Sequence, residues 1–92
     1  MRITLEVSFS FKRELPAALG VDLPEGATVL DALHALVDRF PDVGARLFRT
    51  DGRARRHINA LVNGGNIAAK RGFETILHDG DRLTLLPAVG GG

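Results

Sequence analysis

One run of helical spacing sits between runs that alternate, and this restricts what so short a chain can become. Ile3, Leu5, Val7 and Phe9 alternate with Thr4, Glu6 and Ser8, the period of a half-buried strand. A weaker extended segment runs from Leu19 to Leu23 and closes on Pro24-Glu25-Gly26. Val29, Leu33, Leu36, Val37 and Phe40 then follow a helical spacing, with Leu33 and Leu36 assigned to its buried face. Thr28 and Asp31 have the spacing of a capping box, and Pro41 stops the helix. Residues 42–57 read as irregular, with a short helical turn around Ala45 to Phe48. Ile58, Ala60 and Val62 alternate again, and Asn63-Gly64-Gly65-Asn66 reads as a turn. Ile67 is expected to open a short return strand, and Thr75 to Leu77 to form another strand or a connecting turn. Asp79-Gly80-Asp81 makes the last turn, and Arg82 to Leu86 the last strand.

One helix and one sheet must bury their apolar faces against each other. A right-handed crossover then places the first and last strands side by side, parallel, at the sheet centre. The expected fold is therefore α+β, a ubiquitin-like β-grasp with a mixed sheet of four to five strands on one main helix. Residues 1–87 form that domain, and residues 88–92 form a flexible C-terminal glycine tail. The tail, Val89-Gly90-Gly91-Gly92, leaves the end of a central strand. Glycine has no side chain and follows almost any backbone path. Such a tail can thread into a narrow channel and present its last carboxylate to another protein's site.

The chain has 92 residues, one domain's worth, and 45% of them are hydrophobic, enough for a real core. A formal net charge of +1 carries no nucleic-acid or membrane signal. No apolar stretch approaches membrane-spanning length, the N-terminus reads as a strand and not a signal peptide, and the expected location is cytoplasmic. With no cysteine there is no disulfide frame, thiolate nucleophile or cysteine-ligated zinc.

No internal active site emerges. His34, His57 and His78 are scattered, and the helical neighbourhood of His34 with Asp31 and Asp38 reads as a solvated face. Gly64-Gly65 and Gly90-Gly91-Gly92 lack the helix start and Lys-Ser/Thr pair of a phosphate loop. Ser8 and Ser10 have no plausible His-Asp pairing. Arg46, Arg49, Arg53, Arg55, Arg56 and His57 form a local basic cluster. It suits an acidic partner or RNA, but Asp42 and Asp51 offset part of its charge, and the expectation is a solvated loop. Phe48 is the one aromatic near it, so base stacking has little support. Leu61 and Leu86 break the alternation of their strands and face away from the helix. On neighbouring strands they would form an exposed apolar patch beside the tail, a surface for docking partners.

Val62-Asn63-Gly64 in a hairpin, then Asp79-Gly80-Asp81, an apolar strand, Pro87 and a terminal Gly-Gly together resemble the MoaD/ThiS family of ubiquitin-like sulfur carriers. The Phe40-Pro41 helix end matches as well, and the resemblance covers nearly the whole chain. It implies a β-grasp carrier that is not itself an enzyme and binds no cofactor or metal. An E1-like enzyme of MoeB/ThiF type would use ATP to adenylate Gly92, and sulfur transfer would make a thiocarboxylate. That group would donate sulfur to an acceptor enzyme in molybdopterin, thiamin, cysteine or tRNA biosynthesis. The alternative is a ubiquitin-like modifier joined to lysines through the same glycine. Gly90 and Gly91 would complete the tail, and Leu61, Leu86, Pro87 and Val89 would dock partners. A monomer forming transient hetero-complexes is expected, with no nucleic acid or membrane partner. A single proline before the tail and the length of residues 42–57 look more like the cysteine-biosynthesis carriers or archaeal modifiers than the compact molybdopterin-synthase subunit.

Overall fold

The first and last strands do lie side by side, parallel, at the centre of one sheet. A computed structural model describes residues 1–7, 18–55 and 58–86. Strand β1 (Arg2–Val7) pairs antiparallel with β2 (Ala18–Asp22) and parallel with β5 (Arg82–Leu86). β5 pairs antiparallel with β3 (Asn59–Val62), which turns back into the two-residue β4 (Gly65–Asn66). The order β2-β1-β5-β3-β4 is that of a mixed, five-stranded β-grasp sheet. Helix α1 (Val29–Arg39) is the main helix, and a short α2 (Gly44–Leu47) follows a 3₁₀ turn at Pro41–Val43.

The core follows the two periodicities. Ile3, Leu5, Val7, Ala60, Val62, Leu83 and Leu85 are buried from the sheet, and Val29, Ala32, Leu33 and Leu36 from α1. Leu33 and Leu36 are fully enclosed, as their spacing predicts. The capping box forms even with the shorter aspartate. The Thr28 N–H donates to Asp31 Oδ2 at 2.9 Å, and the Asp31 N–H donates to Thr28 Oγ1 at 3.2 Å.

One expectation needs correction. The return strand is Gly65–Asn66 and does not begin at Ile67. Asn63 and Gly64 both have positive φ, 52° and 87°, which closes a two-residue hairpin loop and lets pairing resume at Gly65. The Asn66 side chain then accepts the Ala68 N–H at 2.8 Å, which turns Ile67–Ala69 into a 3₁₀ turn. Of the two readings of Thr75 to Leu77, the connecting segment holds: it makes one isolated bridge, Ile76 to Thr28, and no strand.

The sequence motifs at 63 and 79–81 meet at the N-terminal end of β5. The Asp79 carboxylate accepts the Arg2 N–H at 2.7 Å, and the Gly80 N–H donates to the Arg2 carbonyl at 2.8 Å. Asn63 Nδ2 donates to Asp81 Oδ1 at 2.9 Å, and the Arg82 N–H donates to Asn63 Oδ1 at 2.9 Å. This turn therefore ties β1, β5 and the β3–β4 hairpin into one joint. The tail leaves from the other end of β5, about 15 Å away for a five-residue strand.

Candidate functional site

The candidate site is the C-terminal end of β5 with the sheet face turned away from α1. Leu85 pairs with Ala60 and Leu83 with Val62, all facing the core, so the residues between them face outward. Leu61 lies opposite Thr84, and Leu86 opposite Asn59. Leu61 and Leu86 are therefore diagonal neighbours on one face, close enough for their side chains to meet. Both are half-buried, so the expected exposed patch is partly covered. Pro87, Val89, Gly90, Gly91 and Gly92 lie outside the described residues, as do Phe9, Ser8, Ser10, Arg56 and His57.

The rest of this open face is polar. Arg82 Nε contacts Glu6 Oε1 at 2.7 Å, and Arg2 pairs with Asp22 at 3.6 Å. Both pairs are solvent-exposed and stabilise little. A shallow depression of about 570 Å³ opens among Glu6, Asn63, Gly64, Gly80, Arg82 and Thr84. Sequence reading missed the Glu6–Arg82 pair because parallel register between β1 and β5 has no local signal. Knowing that β1 and β5 are neighbours, one could have found it only by fixing the offset of Glu6 against Thr84.

Among the described residues no group of three metal-binding side chains converges. His34 is exposed and stacks on Phe48, with ring centroids 4.5 Å apart. His78 Nδ1 lies 3.9 Å from Asp81 Oδ2 at the end of β5 remote from the tail. No described helix is long and apolar enough to cross a membrane. The site offers a strand end and an apolar pair of residues, which suits recognition by another protein.

The described part of the basic cluster is mostly solvent-exposed, as expected, and it is also closed by a bridge. Phe48 and Ala54 form an antiparallel bridge, so residues 48–54 make a closed hairpin. Arg49 and Arg53 are exposed on it, Arg46 is exposed on α2 before it, and Arg55, just after it, is half-buried.

Comparison with known proteins adds a consistent picture. The model of the ThiS family matches residues 9–92. Small archaeal modifier protein 1 of Haloferax volcanii is 47% identical over 72 residues, which span 78% of each chain. A crystal structure of small archaeal modifier protein 1 from that organism superposes with a TM-score of 0.86 at 32% identity, covering all of both chains. The Amycolatopsis orientalis BexX/CysO complex contains a chain that matches at a TM-score of 0.76 and 32% identity. That match covers 98% of this chain and 99% of the other.

Proposed function

The chain belongs to the ThiS family, and on that premise we propose that it is a sulfur carrier acting through its C-terminal glycine. The observation that carries this reading is that the family match runs through Gly92. A carboxylate is ionised at neutral pH, with a pKa of roughly 3.5, and is a poor electrophile. Activation therefore belongs to a partner. In this reading an E1-like enzyme joins the Gly92 carboxylate to the α-phosphorus of ATP and pyrophosphate leaves. A hydrosulfide ion then attacks the acyl carbon, AMP leaves and the sulfur loses its proton. The resulting thiocarboxylate passes sulfur to an acceptor enzyme of molybdopterin, thiamin, cysteine or tRNA biosynthesis. The chain itself supplies no catalytic group and no bound cofactor. Its contribution is recognition, through Leu61, Leu86, Pro87 and Val89, and an unhindered end at Gly90, Gly91 and Gly92. That CysO is found in a complex with BexX supports transient hetero-complexes for a chain of this shape.

A second reading has its own support in the 47% identity to a protein named as a modifier. There the activated Gly92 would acylate a lysine of a target protein. Intact mass separates the two. The full chain is incubated with its E1-like enzyme, ATP and a sulfur donor. Exchange of one oxygen for sulfur at the terminus supports the carrier, and larger lysine conjugates support the modifier. An unchanged mass under all conditions sinks both. A variant lacking Gly91 and Gly92 should neither exchange pyrophosphate nor gain mass, while its melting temperature stays put, because glycines have no side chains to bury.

A further inference from the structure

The arginine hairpin is fastened too firmly to be an idle loop. The Arg49 N–H donates to the Arg53 carbonyl at 2.7 Å, and the Gly52 N–H to the Arg49 carbonyl at 2.9 Å. Asp51 Oδ1 accepts the Arg53 N–H at 3.0 Å. Gly52 has a φ of 86°, a conformation that favours glycine. Arg55 is tied twice to α2. Its N–H donates to the Leu47 carbonyl at 2.8 Å and its Nε to the Ala45 carbonyl at 2.7 Å. Arg49, Arg53 and Arg55 stand on this fixed frame beside one acid of the same segment, Asp51, so positive charge is in excess there. Asp51 lies 3.8 Å from Arg49 Nε, a long and exposed contact that leaves the hairpin cationic.

Beside the hairpin lies a groove of about 330 Å³. Val37, Gly44, Ala45 and Phe48 line its apolar part, and Arg49 and Arg55 stand at its margin. A Cβ on Gly44 would come within 3.3 Å of Val37 Cγ1, so the floor is closely packed there. We propose that this groove docks an acidic peptide segment of a partner protein. One aliphatic side chain of that segment rests on Val37, Ala45 and Phe48, and flanking carboxylates meet Arg49, Arg53 and Arg55.

Charge and shape both select this occupant. Guanidinium groups match carboxylates with two parallel hydrogen bonds, a geometry that lysine lacks. An apolar floor inside a cationic rim takes a mixed segment better than a uniformly charged one. A nucleic acid would need aromatic faces on which to stack its bases. Phe48 is the aromatic residue of the groove, and His34 already covers one of its faces.

Position gives the groove a distinct use. The Ile58 N–H donates to the Arg55 carbonyl at 3.2 Å, and the next residue, Asn59, is the rung opposite Leu86. The hairpin thus adjoins the end of the sheet from which the tail departs, on the helix side. Leu61 and Leu86 adjoin it on the open side. A partner segment in the groove would hold the carrier without covering the open face, and this does not depend on the chemistry of the tail.

The test is a titration of the isotope-labelled full chain, followed by its backbone amide resonances. The probe is a synthetic peptide with a central leucine flanked by glutamates. Two control peptides replace the glutamates with glutamines or the leucine with alanine. Shifts should centre on Val37, Ala45 to Arg49 and Arg53 to Arg55, and both controls should bind more weakly. The double variant R49Q/R53Q should lose about tenfold in affinity. Ala45→Glu, at an exposed position, should also block the peptide by placing a carboxylate at the groove, with an unchanged melting curve. Absence of localised shifts would overturn the proposal, as would equal binding of the alanine peptide. Tighter binding of an oligouridylate at the same amides would overturn it too, in favour of an RNA surface.

Discussion

Asn63 offers a substitution pair that separates backbone strain from hydrogen bonding. Its φ of 52° is a left-handed conformation that asparagine tolerates and alanine does not. Its side chain also holds Asp81 Oδ1 and the Arg82 N–H, each at 2.9 Å. Asn63→Gly removes both hydrogen bonds and keeps the backbone relaxed. Each bond is solvent-exposed, so its net worth falls near the low end of the usual range, about 0.5 kcal/mol. The expected loss is about 1 kcal/mol. Asn63→Ala loses the same bonds and adds roughly 1 kcal/mol for a Cβ in the left-handed region. Its expected loss is about 2 kcal/mol. In a domain of this size that difference moves the melting temperature by about 4–8 °C. Urea denaturation of both variants gives the two losses directly. Alanine should cost more than glycine, and both should still be adenylated, since the joint lies at the end of β5 remote from the tail. Equal losses would refute the strain term. A glycine variant as stable as the parent would refute the claim that Asn63 holds the joint.

Other outcomes can be stated briefly. Leu33→Ala or Leu36→Ala should each cost about 2–5 kcal/mol by chemical denaturation, because both side chains are fully enclosed. An unmoved midpoint in both would mean that neither packs as described. Leu86→Asp should weaken binding to the E1-like enzyme by burying an unpaired charge at the interface, while the melting curve shifts less than for Leu36→Ala. Wild-type affinity would remove the open face as a docking surface. Leu86→Asp should leave the acidic peptide's affinity for the groove unchanged, since distant sites couple weakly, and a lost affinity would join the two surfaces into one.

What the sequence determined by itself were the features that repeat along the chain or act within a few residues. Alternation placed Leu5, Ala60, Leu83 and Leu85 inside, because successive strand side chains point to opposite faces. Helical spacing placed Leu33 and Leu36 inside for the corresponding reason. The Thr28–Asp31 cap acts across three residues and was equally legible. The outward direction of Leu61 and Leu86 followed from the same alternation, although how far they were covered did not. Only the tertiary structure decided what depends on register between distant segments. It set Leu86 opposite Asn59, Glu6 against Arg82, and the two turn motifs at one joint. It also closed residues 48–54 into a hairpin beside α1, where the sequence showed only an irregular, solvated segment. A cationic run has the same composition in either case. Whether it becomes a surface depends on which carbonyls its arginines reach, and Ala45 and Leu47 reach Arg55 only once α2 has folded next to it.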